Sequence, residues 1–281
     1  MRDLPGYVLE GRAERGESGD GAWFATDSSG RRVVIKWFDD LSARQRFEVT
    51  ADALDELRAR GCPVPSYVSI EVLDGVLVLA QSRLDGETDV PVTERTVADV
   101  LELNARQVGV MGQRAQQGSW GEFLIESLVI GEDGWCMHES MHAHSDRTRR
   151  IVELAESIGA DADPSWFRET GIMHLDLHPG NLLFAHDGAV TGVVDWEGAT
   201  VGDPLFDLTS FAFCGEVGAD TPAAIVAPVW RVLEESVEPR VLRAYAAHQA
   251  LRLVDWMLRH HTEDDVQRWL AASEAMLARY A

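Results

Sequence analysis

Hydrophobic and polar positions in the first third of the chain alternate in short runs separated by turn-forming residues. The turns include Asp27-Ser-Ser-Gly30 and Asp74-Gly75, and a glycine-rich loop covers residues 14–21. Asp-Gly between two such runs favours a tight hairpin, and β-branched residues favour strands. The pattern predicts a small sheet with strands at Tyr7 to Ala13, Ala22 to Thr26, Arg31 to Phe38, Tyr67 to Leu73 and Val76 to Gln81.

One helix is expected between the third and fourth of these strands. The residues at helical spacing are Phe47, Ala51, Leu54 and Arg58. We predict that Ser42 caps the start of this helix, and that Gly61, followed by Pro63, ends it.

The pattern changes after Asp85-Gly86 and becomes mainly helical. Apolar positions at Val97, Val100, Leu101 and Val108 predict one helix, and residues 147–158 predict another. The stretch between them, residues 120–144, is ambiguous. Short strands with turns are expected from Gly171, and helices from Asp203-Pro204 to the end. The fold class is therefore predicted to be α+β, with a β-rich first part and a larger helical second part.

The formal net charge is −22, from 25 Lys and Arg against 47 Asp and Glu. Such a charge repels nucleic acid and anionic membranes, so neither is expected as a partner. A solvated acidic surface explains it most simply, and recognition of a cationic substrate is the alternative. The amino-terminal residues lack the apolar core of a secretory signal, and the apolar runs are too short to cross a bilayer. The three cysteines have no CxxC spacing, so we expect buried thiols and a cytoplasmic protein.

The segment from Gly171 to Phe184 carries the strongest chemical signal in the chain. His174, Asp176, His178 and Asn181 lie in a polar loop between apolar runs, and a following apolar strand ends at Asp195. Transfer of a phosphoryl group needs an aspartate for the attacking hydroxyl and oxygen ligands for Mg²⁺. A hairpin with turn-capping polar residues is the alternative for a lone HxD. The full pattern HxDxxxxN, strand, Asp favours phosphoryl transfer.

The sequences HLDLHPGNLLF and VVDWEGATVGDPLFDL resemble the aminoglycoside phosphotransferase family, which shares the two-lobed protein-kinase-like fold. The resemblance implies that Asp176 is the catalytic base and that Asn181 and Asp195 are Mg²⁺ ligands. It also implies that His174 and His178 shape the loop, and that the downstream Asp203 and Asp207 support it. By this resemblance residues 1–84 are the nucleotide-binding lobe, and residues 85–281 form the catalytic and substrate-binding lobe.

The same resemblance supplies the expected ATP site. Lys36 matches the strand lysine that contacts the α- and β-phosphates. Backbone groups of Ser82 (C=O) and Leu84 (N–H) match the hinge that binds adenine. An acid on the following helix is expected to hold Lys36, with Glu48 as the choice and Asp52 as the fallback, although counting back from Pro63-Val-Pro65 reaches Thr50. Gly16, Gly19 and Gly21 offer a weak phosphate-loop signal.

The substrate class stays open at this stage. The leading expectation is a cationic antibiotic, an aminoglycoside or a basic cyclic peptide of the capreomycin or viomycin type, and such an enzyme would confer resistance. The alternatives are a metabolite kinase for homoserine, a choline-like amine or an amino sugar, and a catalytically dead binding module. Protein phosphorylation is disfavoured, because only seven residues separate Asp195 from Asp203. Acids that would line a cationic site are Glu122, Glu126, Glu139, Asp255, Glu263, Asp264 and Asp265, and tryptophans that would stack on a ring are Trp120, Trp135, Trp166 and Trp256.

Overall fold

A five-stranded antiparallel sheet forms the first part of the molecule. The computed structural model describes residues 4–13, 21–111, 119–132, 135–218 and 221–280. The sheet order is β1-β2-β3-β5-β4, and every neighbouring pair is antiparallel. Asp74 and Gly75 both have positive φ, as the predicted Asp-Gly hairpin requires. The strands are β1 (Tyr7–Arg12), β2 (Trp23–Asp27), β3 (Arg32–Phe38), β4 (Tyr67–Leu73) and β5 (Val76–Ser82).

Helix α1 (Ala43–Ala59) packs beside this sheet. Its buried face includes Phe47, Thr50 and Leu54, whereas the predicted Arg58 is half-buried and extends to the Pro65 carbonyl oxygen at 2.7 Å. The expected cap was wrong, since the Ser42 side chain makes no cap hydrogen bond. It donates instead to Asp40, at 2.6 Å. Gly61, at φ +81°, ends the helix as predicted.

The second part is mainly helical, with two short two-stranded sheets inserted. Thr93, Ser119 and Ser145 each form a capping box at the start of a helix. The helices are α2 (Glu94–Gln107), α3 (Trp120–Val129), α4 (His138–His144), α5 (Asp146–Asp161), α6 (Leu205–Val217), α7 (Ala223–Ser236), α8 (Pro239–His260) and α9 (Glu263–Arg279). The ambiguous residues 120–144 thus contain α3 and α4.

An aromatic cluster lies at the centre of the helical part. Trp120, Phe206 and Tyr245 are fully buried, with ring centroids 4.9 Å apart for the first pair and 5.2 Å for the second. Burial of several such rings supplies a large share of the hydrophobic stabilisation of this part. Trp120 is therefore a core residue and has no face available for a substrate.

Two short two-stranded sheets present the polar loop identified from the sequence. Strand β6 (Gly171–Met173) pairs with β9 (Thr200–Gly202), and between them in the chain β7 (Leu182–Phe184) and β8 (Val190–Val193) form a second pair, which is a hairpin. The Val193 amide donates to the Pro63 carbonyl oxygen at 2.8 Å, which ties this second pair to the sheet region. Glu87 forms an isolated β-bridge with Phe184 of β7, so the chain already contacts the second part of the molecule at Glu87. The lobe boundary between residues 84 and 85 stays a prediction.

Two further sequence expectations concern the molecule as a whole. Within the part of the chain that the structure describes, no helix is both long and apolar enough to cross a membrane. The three cysteines are buried and free, as expected. Gly16 and Gly19, from the predicted phosphate loop, lie outside the described residues.

Candidate active site

The loop after β6 is held in a strained conformation by a buried carboxylate. Leu175 has φ +70°, a left-handed conformation that is uncommon for a residue with a branched side chain. Asp207 on α6 accepts from the amides of His174 (2.7 Å) and Leu175 (2.9 Å), and from the Gln107 side chain (2.8 Å). Burial raises the pKa of Asp207, while these hydrogen bonds oppose the rise. Asp207 thus supports the loop rather than facing the cleft.

Asp176 follows directly, with its carboxylate at the cleft. Its Oδ1 lies 2.5 Å from Nη2 of Arg252 and 3.7 Å from Nε2 of His178. Burial alone would raise the pKa of Asp176, but the Arg252 guanidinium and the neighbouring histidines hold it below its usual value. His178 also accepts from the Gly180 amide at 3.0 Å, which agrees with a loop-shaping role. Asp176 is therefore ionised at neutral pH.

Asn181 and Asp195 are brought together by the β7–β8 hairpin. The Val194 amide donates to the Asn181 carbonyl oxygen at 3.0 Å, so Asp195 follows beside Asn181. The Asn181 Nδ2 donates to the Asp176 carbonyl oxygen at 2.9 Å. Because the amide nitrogen is used in this way, Oδ1 of Asn181 stays available as a ligand. Asp195 has φ +73°, a second strained position in the site.

His174 connects the two strained positions. Its Nδ1 accepts from the Asp176 amide at 3.2 Å, so its Nε2 carries the proton and donates to the Val194 carbonyl oxygen at 2.7 Å. The ring is buried and lies 4.7 Å from the Trp196 ring. His174 therefore holds the loop of Asp176 against the turn at Asp195, as the sequence suggested.

Lys36 on β3 reaches the same site from the sheet. Its Nζ contacts the Asp195 carboxylate and lies 2.9 Å from Oε1 of Glu197. Burial would lower the pKa of Lys36, but the two carboxylates raise it above its usual value. The same contact lowers the pKa of Asp195 despite burial, whereas burial raises the pKa of Glu197 to about 7. Lys36 is thus a buried cation between two acids from one turn.

The expected pairing of Lys36 with Glu48 was wrong. Glu48 is exposed and pairs with Arg44 at 2.9 Å, one turn earlier on α1. The fallback Asp52 is also exposed, while Thr50 occupies the buried face between them. Glu48 and Asp52 therefore both face solvent. Glu197, which the sequence reasoning missed, takes the place of the helix acid, and its only sequence signal was its position two residues after Asp195.

Ser82 and Leu84 lie on the wall of the cleft that holds Lys36, Asp176 and Asp195. Ser82 ends β5, and its Oγ accepts from the Ser66 amide at 2.9 Å. The cleft has a volume of about 2250 Å³, above the several hundred Å³ typical of a single-ligand pocket. It has room for a nucleotide and a second molecule together.

The arrangement matches a known family. The model of the phosphotransferase enzyme family aligns with residues 12–251. The chain belongs to this family. A solved aminoglycoside phosphotransferase, APH(4)-Ia in ternary complex with ADP and hygromycin B, is similar with a TM-score of 0.67 and 18% identity, covering 98% of this chain and 94% of that one. The fold of this phosphotransferase is therefore the expected α+β, kinase-like fold.

Other similar proteins include a kinase named for a different substrate and a protein whose name gives no activity. Choline kinase LicA from Streptococcus pneumoniae is similar with a TM-score of 0.56 and 13% identity, covering 97% of this chain and 94% of that one. The uncharacterized protein YcbJ of Bacillus subtilis is 39% identical over 51 residues, which is 18% of this chain. The chain spans 17% of the length of that curated relative. These similarities support the fold and leave the substrate of this phosphotransferase open.

One part of the wall of the phosphotransferase cleft is more aromatic than the net charge suggested. Trp135, Trp256, Met257, His261 and Glu132 line it. Within the described ranges, none of the acids expected to line a cationic site is part of the cleft wall, namely Glu122, Glu126, Glu139, Asp255, Glu263, Asp264 and Asp265. Most of them are exposed on helix surfaces.

Asp255 and Trp166, two of the other candidates for substrate contact, have structural partners instead. Asp255 is fully buried and accepts from Ser140 (2.6 Å) and Arg259 (2.8 Å). Trp166 lies under the Arg240 guanidinium, 4.2 Å from its ring centroid. Trp135, by contrast, is 42% exposed at the cleft, where the Arg252 guanidinium lies over its ring, 4.5 Å from the centroid.

Proposed function

We propose that this phosphotransferase moves the γ-phosphate of Mg·ATP to a hydroxyl group of a small molecule. The observation that carries the proposal is the convergence of Lys36, Asp176, Asn181 and Asp195 on one cleft. In this reaction the acceptor oxygen bonds to the γ-phosphorus, the bond to the β–γ bridging oxygen breaks, and ADP leaves. Asp176 orients the hydroxyl and takes its proton.

The remaining residues divide the binding of ATP between them. Lys36 contacts the α- and β-phosphates, and the backbone of Ser82 and Leu84 binds adenine. Asn181 and Asp195 would hold Mg²⁺, and their donors fit it: a carboxylate and an amide oxygen, both hard ligands, with phosphates and water completing the shell. When bound, the ion neutralises charge that develops on the phosphates. The use of ATP favours a cytoplasmic location.

For the acceptor we propose an antibiotic with a cationic ring system, an aminoglycoside or a basic cyclic peptide. Support comes from the hygromycin B complex of the structural relative and from Trp256 and the 42% exposed Trp135, which line the cleft together with Glu132. Stacking on an aromatic face suits a ring, and a carboxylate suits an ammonium group. Such an activity would give resistance to the antibiotic.

A second candidate is a kinase for a hydroxylated metabolite such as homoserine, a choline-like amine or an amino sugar. One observation favours it, since the acids expected to neutralise a polycation lie away from the described lining of the cleft. Replacing the hydration of several ammonium groups requires several carboxylates, whereas a metabolite with one charge requires few. The choline kinase among the structural relatives supports this candidate as well.

A coupled assay of ADP release over both compound classes tests the function. Antibiotic-dependent turnover, together with a raised inhibitory concentration in cells that express the protein, would support the first candidate. Turnover restricted to small metabolites would favour the second. An absence of acceptor-dependent turnover across both classes, with Mg·ATP bound in calorimetry, would contradict the proposed reaction.

A further inference from the structure

An arginine from a distant helix contacts the proposed catalytic aspartate. Arg252 lies on α8, 77 residues along the chain from Leu175. Its Nη2 lies 2.5 Å from Oδ1 of Asp176, and its Nη1 donates to the Leu175 carbonyl oxygen at 2.9 Å. Its side chain is only 8% exposed. The two donors of one guanidinium thus reach the side chain of Asp176 and the backbone just before it.

The buried Arg252 guanidinium suits the groups around it both in its charge and in its planar shape. Among the described residues, Asp176 is the only carboxylate within ion-pair distance of Arg252. The guanidinium also lies over the Trp135 ring, 4.5 Å from its centroid. A cation taken out of water needs such compensation, and a planar fork satisfies two acceptors in a fixed geometry. The contact therefore uses the planar, two-donor shape of the arginine side chain.

As a consequence, hydrogen bonds hold both backbone groups of Leu175. Its amide donates to Asp207, and its carbonyl oxygen accepts from Arg252. Because Leu175 is in the left-handed region, neighbouring contacts must stabilise that conformation. Within the described part of the chain, Arg252 engages Oδ1 of Asp176, and no hydrogen bond is formed by Oδ2, while the side chain remains 25% exposed.

We propose that Arg252 is a positioning residue of the phosphoryl transfer, which rests on the function proposed above. It fixes Asp176 by one carboxylate oxygen so that the other meets the acceptor hydroxyl. It acts through Asp176 and the Leu175 backbone. The sequence gives no sign of this role, because Arg252 lies in a long helix far from the HxDxxxxN segment.

The test compares Arg252→Gln and Arg252→Lys with matched changes at Arg240. Arg240 is on the same helix, and its guanidinium also pairs with a carboxylate (Glu238) and lies over a tryptophan (Trp166), but at the surface. The assays are Mg·ATP hydrolysis with water as acceptor and turnover with any acceptor found in the screen. Circular dichroism and ATP calorimetry report whether each variant is folded with an intact nucleotide site.

We expect Arg252→Gln to lower kcat about 10-fold or more while the KM for Mg·ATP changes by less than about 2-fold, because a misplaced base costs rate rather than nucleotide binding. Arg252→Lys should recover part of the rate, and both Arg240 variants should match the wild type. In an Asp176→Asn background, Arg252→Gln should add little further loss. Full additivity there, or an unchanged kcat, would overturn the proposal.

Hydrogen exchange of the peptide covering residues 172–178 supplies a readout that does not depend on turnover. Loss of the Leu175 and Asp176 contacts should speed exchange in Arg252→Gln and leave Arg240→Gln unchanged. If the wild type binds Mg·ATP but transfers phosphate to no acceptor, the proposed function fails and the role of Arg252 in the reaction fails with it. The exchange result then decides only whether Arg252 holds the loop, and equal protection of the loop in both variants would reject that contact as well.

Discussion

Replacing Glu197 by glutamine tests which acid holds Lys36. Glu197 Oε1 lies 2.9 Å from the lysine Nζ, and both side chains are largely buried. When Mg·ATP binds, Asp195 is proposed to ligate the metal, so Glu197 is left as the partner that keeps Lys36 aimed at the phosphates. A charge-assisted hydrogen bond contributes about 1.5–3 kcal/mol. Glu197→Gln should therefore weaken Mg·ATP binding by roughly 10-fold to 100-fold.

The matched control is Glu48→Gln, which changes the acid favoured by the sequence. Glu48 is exposed and pairs with Arg44, so its loss should leave nucleotide affinity within about 2-fold, in line with the small contribution of surface ion pairs. Isothermal calorimetry with Mg·ATP measures both variants. Equal affinities for Glu197→Gln and the wild type, or an equal loss in both variants, would refute the structural assignment.

As the pH rises, Glu197→Gln should become more stable than the wild type, although it binds Mg·ATP more weakly. An affinity loss caused by unfolding would instead be accompanied by lower stability. Burial raises the pKa of Glu197 from 4.5 to about 7. A carboxyl with a raised pKa contributes stability that is present below pH 4.5 and is lost as the pH rises through 7. From pH 5 to pH 8 the wild type should lose roughly 2–3 kcal/mol of unfolding free energy relative to Glu197→Gln. Urea unfolding with a chelator present measures this difference, and parallel pH profiles of the two proteins would contradict it.

Three further predictions concern the loop and the core. Asp176→Asn and Asp195→Ala should each lower turnover by about 10²-fold or more in a folded protein, with Asp195→Ala alone weakening Mg·ATP binding, as steady-state kinetics and calorimetry can check. Asp207→Ala leaves buried amides without an acceptor and should lower the unfolding free energy by about 2–4 kcal/mol in urea. Burial lowers the pKa of His248 to about 3, so its contribution to stability is lost as the pH falls below 6.5. Between pH 7.5 and 5.5 the wild type should lose roughly 1–2 kcal/mol of unfolding free energy relative to His248→Gln.

Local pattern was sufficient for much of this fold. The five strands of the first sheet lie within one or two residues of their predicted bounds, because alternation and the Asp-Gly turn act over a few neighbouring residues. Residues 120–144 were ambiguous for the same reason. Their two helices are short, and α4 depends on packing against α5 and α8 that no local period reveals.

The candidate site likewise contains contacts that local sequence predicts and contacts that it does not. Asp176 follows β6, and Asn181 and Asp195 flank the open end of the β7–β8 hairpin, so their proximity follows from strand pairing over about twenty residues of sequence. The four-residue spacing of Glu48, Asp52 and Glu56 places them on one strip of α1. It did not show which way that strip faces, and Arg44 and Arg60 hold its two outer acids in solvent.

The partners of the charged residues were decided by the tertiary structure. The rotation of α1 is set by burial of Phe47, Thr50 and Leu54, and this leaves Glu197 as the acid beside Lys36. Arg252 reaches Asp176 only because α8 crosses behind the loop. Sequence determines such contacts where both partners lie in one hairpin or one helix turn. Across 77 or more residues the contact depends on how whole elements pack, since the hydrophobic burial that sets their packing is not directional.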